Sequence, residues 1–179
     1  MQFLLRPARR EDLEAIMGVM HSAMAAIPEP DWFVPDDADY MRNHIDGTEG
    51  FCLVAQRSDG RLAAYFTVKY AGTAPDALGR YLGMDATTLN RTAQMDSCCV
   101  APECQGNGLE GQLLLAAQER LRQTSYQHLL ATVHPDNKAS LFTLLHRGYR
   151  IALADARCYG GKRRHILQRD LGVESKESE

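Results

Sequence analysis

The stretch Cys99-Val-Ala-Pro-Glu-Cys-Gln-Gly-Asn-Gly-Leu-Glu-Gly-Gln-Leu-Leu114 decides the fold. It passes from an apolar strand end through a glycine-rich turn into a leucine-periodic helix. Gly106 and Gly108 let the backbone bend through positive φ and bring N–H groups close to an anion, and the helix adds its positive dipole end. Such a turn suits phosphate. No Lys follows in the G-x-x-x-x-G-K-[ST] pattern, which excludes a nucleoside-triphosphate P-loop. The same letters spell Gly106-x-Gly108-x-x-Gly111, a dinucleotide fingerprint, but that motif should follow its strand at once and open a doubly wound sheet. Here Ala101 to Gln105 intervene, and little chain remains after Gly111. A dinucleotide site and a ligand-free turn that merely opens a helix stay beside the phosphate reading as lesser alternatives.

A chain of 179 residues fits one domain with an ordinary core. We expect a single domain over 1–171 and a polar, disordered tail over 172–179. The formal net charge of -3 gives no global reason to bind nucleic acid or an anionic membrane. No signal peptide or membrane span is visible. The five cysteines, at 52, 98, 99, 104 and 158, are odd in number and form no C-x-x-C pair, which points to the cytoplasm. Cys98 and Cys99 sit in an apolar strand pattern and read as small hydrophobes; Cys104, in the turn, is expected to be the most accessible. Histidines and cysteines never fall at ligand spacings, so no metal site is expected.

Outward from the turn, Thr92 to Val100 and His128 to Val133 read as strands, Leu109 to Leu121 and Ser140 to His146 as helices. Upstream, Phe3 to Ala8 is an edge strand ended by proline, and Leu13, Ile16, Met17, Met20 and Met24 have helical spacing. Gly50 to Gln56 and Leu62 to Tyr70 flank Ser58-Asp-Gly-Arg61, a hairpin signal. Tyr149 to Leu153 and His165 to Leu171 flank Gly160-Gly161. A hairpin followed by alternating strands and helices predicts a mixed α/β sheet covered by helices on both faces. Residues 27–50 and 71–91 show no core pattern, and long irregular connections of this kind are usually functional or mobile.

The central motif resembles the pyrophosphate-binding motif of the GCN5-related N-acetyltransferase (GNAT) superfamily. Val100, Pro102, Gln105, Gly106, Gly108, Leu109, Leu113 and Leu114 match it; Glu110 stands where the family usually has Gly or Ala. His134 to Tyr149 is similar to a second family segment, with Asn137, Ser140, Gly148 and Tyr149 in agreement. The family tyrosine, usually taken as the acid that protonates the leaving thiolate, falls on Leu144. The resemblance covers about residues 2 to 171. It implies a mostly antiparallel sheet of six or seven strands, splayed between the fourth and fifth. It also implies acetyl-CoA as cosubstrate, held by Cys98, Cys99, Val100, the turn Gln105, Gly106, Asn107, Gly108, Leu109 and Glu110, and by Asn137 and Ser140. A main-chain N–H near Cys98 or Val100 would polarise the thioester carbonyl. The implied activity is acyl transfer to a primary amine on a small molecule or peptide, by direct attack in a ternary complex. A non-catalytic CoA-binding module is the alternative, and a homodimer is compatible with the exposed edge strands.

A thiol with a pKa of about 8.5 leaves readily, whereas an alkylammonium near 10.4 must first lose a proton, so the missing tyrosine matters less than a base. Asp96, on the strand before the turn, and His134, ending the neighbouring strand, are the candidate bases. Asn137 and Gly148 also read as a helix N-cap and stop, and His134 as a turn cap. Glu29, Asp31, Asp36, Asp37, Asp39, Asp46 and Glu49 face one base, Arg42, across 27–50; together they would draw a cationic amine or form a solvated acidic face. Trp32, Phe33 and Tyr40 lie among them; one of them could stack on a cation, and as large apolar side chains they are expected to close the pocket or core.

Overall fold

Seven strands lie side by side in one sheet, in the order β1-β2-β3-β4-β5-β7-β6. They are β1 (Phe3–Pro7), β2 (Gly50–Arg57), β3 (Leu62–Lys69), β4 (Thr92–Val100), β5 (His128–Val133), β6 (Arg150–Cys158) and β7 (Lys162–Asp170). The computed structural model describes residues 2–172, so the expected tail lies, from residue 173 onward, outside the described residues. Every neighbouring pair is antiparallel except β4 with β5. That parallel pair holds only from Thr92↔His128 to Met95↔Ala131, after which the two strands part. Beyond this point β4 stays paired with β3 and β5 with β7, so the sheet opens into a V without losing its outer ladders.

The helices are α1 (Leu13–Ala26), α2 (Ala38–Ile45), α3 (Ala86–Leu89), α4 (Leu109–Arg122) and α5 (Lys138–His146). One face of the sheet buries Phe51, Leu53, Phe66, Val68 and Met95 beneath Leu109, Leu113, Leu114 and Leu121 of α4 and Leu144 of α5. The other buries Cys52, Val54 and Tyr65 under Ile16 and Met20 of α1 and Met41 of α2. The hydrophobic effect of two covered faces explains why β2 and β3 carry continuous apolar runs rather than alternating ones.

The two stretches without a core pattern are ordered over short elements. Pro30–Trp32 forms a 3-10 turn, and α2 is capped by the Asp37 side chain accepting from the Tyr40 N–H. Leu78–Leu82 makes a second 3-10 turn whose Leu78 packs on Leu130, Ala156 and Ile166. The C-terminal hairpin is longer than its sequence suggests, because its partly exposed strands carry polar residues on the open side.

Candidate active site

The turn after β4 lies at one end of an elongated cavity. Gly106 (φ 78) and Gly108 (φ 68) both adopt the left-handed conformation that side-chain-bearing residues avoid. The N–H groups of Gly106, Asn107 and Gly108 donate to no other main-chain group. Gly108 then opens α4 as its N-cap, adding the orphan N–H groups of the first helical turn. Asn107 spends its side chain on the turn itself, its Nδ2 donating to the Cys104 carbonyl at 2.9 Å. Arg147, at the end of α5, brings its guanidinium within 3.1 Å of where a Gly111 Cβ would lie, placing a cation beside that helix start. A diphosphate fits this cradle.

From the turn, a channel of about 530 Å³ runs between α1 and α5 along Cys98, Cys99 and Val100. Ser97 donates its N–H to Thr67 Oγ1 at 2.9 Å and Ala101 its N–H to the Ala63 carbonyl at 2.8 Å, both toward β3. By strand alternation, the N–H groups of Cys98 and Val100 point the other way, into the gap left by β5. Asn137 caps α5 by accepting from the Ser140 N–H at 3.3 Å, and both residues line the channel.

The channel meets a second cavity of about 350 Å³ at the mouth of the V, and Trp32, Phe33, Cys98, Glu110, Asn137 and Ser140 line both. This chamber is polar and charged. A β-bulge where Phe66 and Val68 face Cys98 and Met95 re-aims β4 at the point where it leaves β5. There Ser97 Oγ donates to Asp36 Oδ2 at 2.6 Å, and the Tyr40 hydroxyl donates to Asp96. Burial pushes the Asp36 carboxyl up to about 6, with Asp96 and Asp37 adding like charge and Ser97 and Lys69 opposing the shift. Burial also raises Asp96, against the hydrogen bond from Tyr40. Lys69 is held by Asp76 at 2.6 Å.

The model of the acetyltransferase (GNAT) family matches residues 21–149. The chain belongs to that family. No curated protein sequence matches it. Among solved structures it resembles a GNAT-superfamily phosphinothricin acetyltransferase from Sinorhizobium meliloti in complex with acetyl-CoA, at TM-score 0.72 and 19% identity over 96% of this chain and 90% of that one. It also resembles the Escherichia coli ribosomal-protein-S18-alanine N-acetyltransferase (TM-score 0.70, 15% identity, 99% of each chain). A third likeness is PaiA N-acetyltransferase from Thermoplasma acidophilum in complex with coenzyme A (TM-score 0.67, 16% identity, 96% and 100%).

Within this GNAT domain several expected residues sit differently from their sequence reading. Cys104 is 0% exposed, contrary to the expectation that it is the most accessible cysteine: the turn folds its thiol inward beneath Leu109. His134 is not among the residues lining the chamber. Its Nδ1 accepts from the Asp136 N–H at 3.2 Å, its Nε2 lies 3.9 Å from Asp31, and its ring stacks on Trp32 with centroids 6.2 Å apart. It caps its turn and backs the Trp32 wall. Leu109 points into the core, so only its main chain faces the turn. Glu110 lies in the channel wall, where Ser140 Oγ donates to it at 3.3 Å and burial raises its carboxyl. Tyr149 is core, its hydroxyl accepting from Gln118 Nε2 at 3.1 Å.

Several chamber residues carry more than their local sequence suggests. In the sequence, Asp36 reads only as one acid among seven, and Tyr159 and Arg164 of the C-terminal hairpin do not stand out at all. Tyr159, at positive φ in the hairpin turn, shares a hydrogen bond with Thr132 Oγ1 at 3.1 Å inside the opening of the V. No local signal marks these residues, because each reaches the chamber through pairing between strands distant in sequence.

Proposed function

We propose that the protein is an acetyl-CoA-dependent N-acetyltransferase of a primary amine, working in a ternary complex as a single cytoplasmic domain over 1–171. The observation that carries this is the joined pair of cavities: a phosphate-fitting turn at one end, an acid-lined chamber at the other, and unpaired strand N–H groups between. Acetyl-CoA, when bound, supplies an acetyl group activated as a thioester.

Asp36 is the base. It is ionised at neutral pH, lies in the chamber wall, and has the value near the working pH that proton transfer favours. It takes one proton from the entering ammonium. The freed amine nitrogen forms its bond to the acetyl carbon as the carbon–sulfur bond breaks, and the nitrogen's second surplus proton ends on the departing thiolate. One amide, one thiol and one net proton result. The Cys98 or Val100 N–H faces the carbonyl oxygen and stabilises the negative charge that develops there. Asp96 positions the site through Tyr40 and its charge on Asp36.

Calorimetric titration with acetyl-CoA, followed by a thiol-release screen of amines, tests the reading. Saturable binding that Gly108→Glu abolishes, with amine-stimulated thiol release, supports it. Binding without release from any amine would favour a non-catalytic CoA-binding module, for which the Glu110 carboxylate in the channel wall is the specific argument.

A further inference from the structure

The chamber contains one charge for which the transfer step has no use. Arg164 stands on β7 and lines the chamber, yet it is only 3% exposed. Its Nη1 donates to the Arg163 carbonyl and its Nη2 to the Asp31 carbonyl, both at 2.7 Å. Its guanidinium carbon lies 6.0 Å from the Tyr159 ring centroid. Among the described residues it forms no ion pair. The nearby Asp31 carboxylate is taken by Lys162 at 2.6 Å instead.

A buried guanidinium left without a carboxylate costs stability, and a chain free to choose either pairs it or replaces it. Here two main-chain carbonyls orient the group without neutralising it. Lys69, the chamber's other cation, differs in this respect, since Asp76 already satisfies its charge. Asp36 supplies the opposite sign on the wall formed by β4 and the segment before α2, with Asp96 beside it. A cavity of about 350 Å³ is of small-ligand size, so a molecule that meets the acids can also meet the guanidinium.

Resting on the acetyltransferase reading above, we propose that the acceptor is a small zwitterion: a primary amine directed to Asp36 that also carries an oxyanionic acid group bound by Arg164. The planar fork of donors suits a carboxylate or a phosphorus oxyacid, both of which present paired oxygens. Trp32 and Phe33 cover the remaining, less polar part of such a molecule.

The test is a thiol-release assay of the wild-type protein with acetyl-CoA and matched acceptors: amino acids, aminoalkyl phosphonates and phosphinates, each beside the amine lacking its acid group. At least one acid-bearing amine is expected to exceed its acid-free partner roughly 100-fold in kcat/KM, because a site built around a buried polar group rejects ligands that leave it unpaired. The carboxylate and phosphorus arms identify which oxyanion is preferred. In Arg164→Gln the ratio is expected to collapse at least tenfold, chiefly through KM, while Arg164→Lys retains part of it. Equal or better use of acid-free amines by the wild type overturns this inference and leaves the acetyltransferase reading intact. Absence of acetyl-CoA binding, or of release with every amine, overturns both. Because the wild-type comparison stands alone, a misfolded Arg164 variant cannot rescue the idea.

Discussion

Asp36 shows how a single residue acquires chemistry from its surroundings. An exposed aspartate, titrating near pH 4, would be a poor base toward an ammonium; partial burial beside Asp96 and Asp37, tempered by Ser97 and Lys69, lifts it to about 6. The rate of acetyl transfer should therefore fall as pH drops through about 6, where Asp36 takes up its own proton. Asp36→Asn should lower kcat by about 10²–10⁴-fold and remove that acidic limb, with acetyl-CoA affinity unchanged by calorimetry. A variant that kept both rate and limb would remove Asp36 from the reaction. Glu110 makes the opposite kind of prediction. Its buried carboxylate sits where phosphates and the arm attached to them would pass, so Glu110→Ala should bind acetyl-CoA more tightly, by about tenfold at pH 8. The gain should shrink as pH falls and the raised wild-type carboxyl takes up its proton. Tighter binding at no pH would mean the group lies clear of the ligand.

At the scale of elements, the site depends on the bulge in β4. Thr67, fully buried on β3, accepts the Ser97 N–H at 2.9 Å, and this bond fixes the backbone that carries Asp96 and Ser97. Thr67→Val keeps the shape and orphans that N–H, at a cost of about 1–3 kcal/mol. The expected result is a lower Tm and a slower transfer, both largely restored in Thr67→Ser, which keeps the hydroxyl. Loss of stability with no loss of rate would separate the bulge from catalysis. The same elements mark what was legible beforehand. β4, β5 and α4 announce themselves by local periodicity, and the glycine turn by residues whose backbone freedom has few other uses. α2 does not: at eight residues, with Asp39, Arg42 and Asn43 set among Tyr40, Met41 and His44, its burial depends on a sheet that local sequence does not display. Asp36 meets Ser97 across 61 residues, and Tyr40 meets Asp96 across 56. Such meetings are set by tertiary pairing, which local sequence does not display.

For the whole molecule, two sets of carboxylates pull stability in opposite directions with pH. Asp12 accepts from Arg6 at 2.7 and 2.8 Å and from the Arg9 N–H at 2.7 Å, tying β1 to the start of α1; the Arg6 hydrogen bonds hold its carboxyl below the usual range. Its contribution is complete above about pH 4 and is lost as pH falls through its lowered folded value. Asp36, Asp96 and Glu110 act the other way, since the folded state keeps protons that the unfolded chain releases. For Asp36 the penalty grows from about pH 4 to about pH 6 and is then constant. Thermal melts across pH should thus peak under weakly acidic conditions, below the pH of greatest activity. Asp12→Ala should lower stability by about 3 kcal/mol at neutral pH and by progressively less as pH falls below about 4. Asp36→Asn should raise the neutral side by on the order of 2 kcal/mol, reduced from the full shift because the site is partly open to water, and leave pH 4 almost unchanged. If Asp36→Asn instead shifted the melt equally at every pH, its effect would come from packing. The link between the stability lost in the chamber and the proton transfer it serves would then fail.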